Sequence, residues 1–110
     1  MLNVTVQQAL NDQIQKELHS AYIYLSMAAY FEAENLPGAA HWMRGQAGEE
    51  QEHAMKIFDF IQDRGGRVTL QAIGAPPATF SSPLAVFEAS YAHELQVTQS
   101  RHEDTLADIA

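Results

Sequence analysis

The sequence has no cysteine, which removes disulfides and thiolate metal ligands together. Any metal held by this chain must be bound through carboxylate, imidazole or carbonyl groups. That donor set favours iron, manganese, calcium or magnesium over a structural zinc. Basic residues are also scarce, six against 14 acidic ones, for a formal net charge of −8. An acidic chain of this kind is a poor partner for nucleic acid or an anionic membrane, both of which require basic surface. It is well suited to gathering cations. The longest nearly apolar stretch, residues 21 to 31, falls short of the ~20 residues that cross a bilayer. The opening residues Met1 to Thr5 carry neither the basic nor the apolar part of a secretion signal. A soluble, cytoplasmic protein is the expectation. No internal repeat, Gly-rich phosphate loop or nucleophile motif is visible.

With 110 residues, 46% of them hydrophobic, the chain has material for one small domain with a core. Leu10, Ile14, Leu18, Ala21, Leu25 and Ala28 recur at helical spacing and predict a first helix over 5–34. Thr5 to Gln8 is expected to form its capping box, with Val4 and Ala9 as the hydrophobic staple. Asn35-Leu36-Pro37-Gly38 breaks the pattern, and Pro37 suits the start of a second helix over 38–65. That helix carries Trp42, Met43, Ile57, Phe60 and Ile61 on one side and stops at Gly65-Gly66. Residues 66–82 contain Gly74, Pro76 and Pro77 and show no helical period, apart from Val68 to Leu70, which could be extended. Ser82-Pro83 then caps a third helix over 83–108, with Leu84, Phe87, Tyr91 and Leu95 on one face.

Loop length sets the topology. The second helix is ~40 Å long at 1.5 Å per residue. The connection after it can reach ~55 Å when extended. It can therefore run the length of the bundle and leave the second and third helices parallel. The fold class expected is all-α: a helical bundle with one long crossover, three helices of which lie in this chain.

Polar residues interrupt the apolar stripes. Glu17 sits between Ile14 and Ala21, with Tyr24 two turns along. The line Trp42, Gln46, Glu50, His53, Ile57, Phe60 places Glu50 and His53 in mid-stripe, and the line Phe87, Tyr91, Glu94, Thr98 does the same for Glu94. An ionised carboxylate is costly to bury unless it is paired or metal-bound. Glu50-x-x-His53 puts two ligands on one helix face within reach of one ion. On spacing alone, an interior metal site and ion pairs with Arg44, Lys56 or Arg64 both stand. Tyr22, Tyr24, Tyr30 and Tyr91 read as core or interface residues, and His19, His41, His93 and His102 as surface.

Three stretches carry a resemblance. Asn11 to Tyr22 with Leu25 to Phe31, then Leu36-Pro37-Gly38 with Glu49 to Phe58, then Arg64 to Val68 with Ala75-Pro76-Pro77 resemble helix A, helix B and the long loop of bacterial-type non-haem ferritins. The resemblance runs over about residues 5–98. It implies iron storage with ferroxidase activity at a di-iron site inside the bundle. Glu17, Glu50 and His53 would hold the first iron, Glu50 would bridge to a second that Glu94 also binds, and Glu49 would serve a third, transit site. Tyr24 would stand beside the pair. Iron (Fe2+/Fe3+) would be oxidised by O2 or peroxide and deposited in a homo-oligomeric shell of 24 subunits.

Counterparts of the family's helix D, which brings further Gln and Glu ligands, and of its short fifth helix are not found in these residues. After Thr98 the face continues into Arg101, His102, Glu103 and Asp104, where the family stays more apolar. Truncation or cleavage, a short form, and a helix supplied by a partner all remain open. The competing function is a truncated or assembly-only module with an incomplete, inactive metal site. A rubrerythrin-like peroxidase would show a second Glu-x-x-His and often cysteine-bound iron, and neither is here.

Overall fold

The computed structural model describes residues 2–101, and they form three helices: α1 (Val4–Ala33), α2 (Pro37–Asp63) and α3 (Pro83–Arg101). No strand occurs among the described residues, Val68 to Leu70 included. None of the three helices is long and apolar enough to cross a membrane. The expected extension of the third helix to 108, and with it His102, Glu103 and Asp104, lies outside the described residues.

The ends of the helices follow from local chemistry. At the start of α1 the cap is Asn3, whose Oδ1 accepts from the Val6 backbone N–H at 2.8 Å. This corrects the Thr5 capping box: Thr5 lies inside the helix and Val4 is exposed rather than stapled. Leu2, just before Asn3, packs on the core and sets the earlier start. Both ends of the α1–α2 hairpin are closed by paired reverse bonds. Leu36 N–H reaches Phe31 C=O (2.8 Å) and Asn35 N–H reaches Glu32 C=O (3.0 Å), with Asn35 at φ 60. Gly66 N–H reaches Ile61 C=O (2.9 Å) and Gly65 N–H reaches Gln62 C=O (3.1 Å), with Gly65 at φ 73. Each is a Schellman closure, in which a left-handed residue lets the last carbonyls find donors. At α3, Ser82 Oγ accepts from Ala85 N–H at 3.1 Å, one residue ahead of Pro83.

The crossover climbs along α1. Asn11 donates through Nδ2 to the Arg67 carbonyl (3.0 Å) and accepts at Oδ1 from Thr69 N–H (2.8 Å), while Gln7 Oε1 accepts from Arg67 N–H (2.9 Å). Gln15 then donates to the Ala72 carbonyl, Ser26 to the Pro77 carbonyl, and Tyr30 stacks edge-on against Phe80. From Asn11 to Tyr30 the segment rises about 28 Å along the helix. It delivers α3 to the far end of α1, where Phe87 meets Phe31, so that α3 runs antiparallel to α1 and parallel to α2.

The core has two parts. Leu10, Ile14, Ala54, Ile57 and Ile61 form one cluster. Ala21, Tyr24, Met27, Ala28, Phe31, Ala40, Met43, Ala47 and Val86 form the other. Three expectations about facing are corrected. Leu25 and Trp42 are exposed. On α3 the expected core line Leu84, Phe87, Tyr91, Leu95 is exposed, and the buried line is Val86, Ser90, Val97. α3 turns its small residues to α1, which lets the two backbones approach; helices in contact pack 8–10 Å apart according to the side chains between them.

Candidate metal centre

The gap between the two apolar clusters is occupied by polar groups. On α1 the buried series passes from Ile14 to Ala21 through Glu17, and on α2 from Ala47 to Ala54 through Glu50. Glu17 is 0% and Glu50 2% exposed. The His53 side chain is 37% exposed, yet its Nδ1 is buried and has no hydrogen-bond partner. That nitrogen lies 3.6 Å from Glu17 Oε2 and 3.8 Å from Glu50 Oε2. One donor atom from each of the three residues falls within 4.8 Å of the other two, the geometry of a set that one cation could share. An unsatisfied buried nitrogen is unfavourable by about 1–3 kcal/mol, and a cation among these three groups would satisfy it. The donor set, two carboxylate oxygens and an imidazole, fits a divalent transition ion. Of the cations that spacing left as alternative partners, Arg64 lies over the Phe60 ring, and Arg44 and Lys56 are exposed.

Glu94 lies next to this cluster but outside it. Its Oε1 accepts from the Tyr24 hydroxyl at 2.6 Å, across the α1–α3 contact. Tyr24 is fully buried. Burial pushes its phenol well above the ordinary tyrosine range, and the Glu94 carboxylate, which takes its hydrogen bond, and the charge on Glu50 push it further. The hydroxyl therefore keeps its proton and donates it to Glu94. Glu49 is exposed, on the side of α2 away from the buried line, and joins no such cluster among the described residues.

The reading from residues missed three groups. His93, expected at the surface, is half-buried, with Nε2 2.8 Å from Ser20 Oγ and its ring edge-on to Tyr24. Ser20 spends its own proton on the Lys16 carbonyl, so the oxygen accepts from His93 Nε2–H. Burial draws the His93 imidazole below the ordinary histidine value, against the pull of Glu94 and Glu17. Gln13 is the third: wholly buried, it donates from Nε2 to Glu17 Oε1 at 3.0 Å. Gln13, Glu17, Ser20 and Tyr24 do succeed one another at steps of four and three on one helix face, but spacing alone does not mark an uncharged glutamine or serine as part of a site.

Fold and site together define a helical bundle with one long crossover, closed around an interior group of carboxylates and imidazole. The sequence model of the ferritin-like domain matches residues 7–105. The chain belongs to that family. It is 43% identical over all 110 residues to a bacterial non-heme ferritin of Bacteroides fragilis, covering 68% of that protein. It is 40% identical over 99 residues to one of Staphylococcus aureus, covering 90% of this chain and 60% of the other. Among solved structures, an open-pore ferritin from the archaeon Archaeoglobus fulgidus superposes with a TM-score of 0.90 at 51% identity, over 94% of this chain and 64% of that one. A closed form of the same ferritin made by site-directed mutagenesis gives 0.91 at 51%, over 94% and 63%. The chain thus spans about two thirds of the length of the relatives it matches.

Proposed function

We propose that this chain takes part in iron storage, binding ferrous iron at Glu17, Glu50 and His53 and oxidising it before it is deposited in a homo-oligomeric shell. One observation carries the reading: a buried imidazole nitrogen with no hydrogen-bond partner faces two buried carboxylates. Family membership supplies the choice of metal, and likeness to the ferritins named above supports the shell, for which 24 subunits is the number proposed.

The finer chemistry is that of a di-iron site. Glu50 bridges the first iron to a second, which Glu94 also binds on giving up its bond from Tyr24, and Glu49 serves a transit position. Anionic oxygen ligands stabilise Fe(III) relative to Fe(II), which lowers the potential of the bound ion. Two adjacent ferrous ions give one electron each. O2 accepts both with two protons and leaves as hydrogen peroxide; where peroxide is the oxidant, it accepts two electrons and two protons and leaves as water.

Ferrous iron added in air is expected to produce a transient di-iron absorption, lost in the Glu50→Ala/His53→Ala double variant. Oxidation at the same rate in that variant would rule the site out. Crystals soaked in iron, measured at the iron edge, separate this reading from an assembly module with an inactive site. The assembly reading gives no anomalous peak between Glu17, Glu50 and His53.

A further inference from the structure

Gln13 lies one turn before Glu17 on α1 and is 0% exposed. A glutamine at such depth is unusual without a task, because a buried amide is unfavourable unless it is hydrogen-bonded. Its Nε2 donates to Glu17 Oε1 at 3.0 Å. The other oxygen of the same carboxylate, Oε2, is the one 3.6 Å from His53 Nδ1. The two oxygens of Glu17 are thus divided: one is tied to its own helix, the other is turned toward α2. Rotation about the carboxylate's last bond, otherwise broad, would break the amide bond.

We propose that Gln13 is a positioning residue for the metal centre, fixing the Glu17 carboxylate so that Oε2 alone is presented to the ion. The proposal rests on the metal-site reading given above. A neutral amide suits this place for two reasons. It donates to an anionic oxygen without bringing a second charge into the interior, and it leaves the carboxylate its full negative charge for the cation. A Glu at 13 would set two carboxylates against each other, and a Leu or Met would leave Oε1 without this donor. Partners of this kind, one bond removed from the metal, typically govern affinity by about 10- to 100-fold.

Cobalt(II) serves as the probe on the full chain, since its visible absorption reports the ligand set directly. Gln13→Met, close in volume and without a donor, is expected to weaken cobalt binding by about 10- to 100-fold and to shift the visible spectrum toward that of Glu17→Gln. A role in packing alone would leave the spectrum of the bound ion as in the unmodified chain. Affinity within twofold of the unmodified chain, or an unshifted spectrum, overturns the proposal. His53→Ala is run beside it: if that variant binds cobalt as well as the unmodified chain, the metal-site reading itself fails, whatever Gln13 does. Should Gln13→Met not fold, as judged by far-UV circular dichroism, the side-chain amide of Gln13 is followed by 15N NMR in the unmodified chain during titration with zinc(II). The amide resonances are expected to move with site occupancy, and resonances unchanged at saturation overturn the proposal.

Discussion

Asn11 shows how one side chain can do the work of a β-strand edge. Its amide offers a donor to the Arg67 carbonyl and an acceptor to Thr69 N–H, the pattern a neighbouring peptide group would present. The crossover has no strand partner at this point, so these backbone groups depend on Asn11 and Gln7 for their bonds. Removing the amide leaves a donor and an acceptor at a half-buried seam, at a cost of about 1–3 kcal/mol. Asn11→Ala is therefore expected to lower the unfolding free energy by that amount in urea titration. Asp12→Ala, which removes only exposed bonds from Gln8 and Gln71, should stay within about 0.5 kcal/mol. Equal losses in the two variants would show that the Asn11 bridge is no more than a surface contact. The same logic separates the site residues. Glu17 and Glu50 could be picked out of the sequence because a charge in the middle of an apolar stripe is anomalous on its own. Gln13 and Ser20 could not, because an uncharged polar residue on a helix is ordinary until the depth of its neighbours is known.

At the scale of elements, what was legible was what is local. Gly65-Gly66 and Ser82-Pro83 mark helix ends through chemistry that needs no partner: a left-handed φ of 73 in one case, a hydroxyl accepting from Ala85 N–H in the other. Gly65→Ala forces a Cβ into that left-handed conformation and should destabilise the fold by about 1–2 kcal/mol. The space around Gly65 is open, so the loss would come from the backbone alone. A thermal melt unchanged from the unmodified chain would show that the α2 terminus relaxes to another turn. Tertiary choices were less legible. Asn3 and Thr5 are both good caps two residues apart, and the docking of Leu2 on the core decides between them. On α3 the more apolar line, Leu84 to Leu95, looked like the core face, but the smaller line Val86, Ser90, Val97 is the one that meets α1. Hydrophobicity counts how much a face would gain by burial. It does not say which neighbour is near enough to bury it.

For the whole molecule, the position of the candidate centre couples ion binding to folding. Glu17 stands on α1, and Glu50 and His53 on α2, at the level where the two apolar clusters give way to each other. An ion held by all three ties the helices of the hairpin together at the point where their contact is polar. Unfolding must then separate ligands that are far apart in sequence, so the unfolded chain binds the ion much more weakly. Linkage follows: ferrous iron, kept anaerobic and free at about 100 times its Kd, should raise the unfolding free energy by about 2.7 kcal/mol. Thermal melts with and without the ion measure this directly, and chelation should return the melting point to that of the metal-free chain. In Glu50→Ala/His53→Ala the rise should vanish, although removing two charges or dipoles from the interior could itself make the metal-free fold more stable. The quantity to compare is thus the shift caused by iron within each protein, not the melting points across them. An equal iron-dependent shift in both would place the stabilising ion elsewhere on this acidic surface and separate the Glu17–Glu50–His53 cluster from the binding of iron.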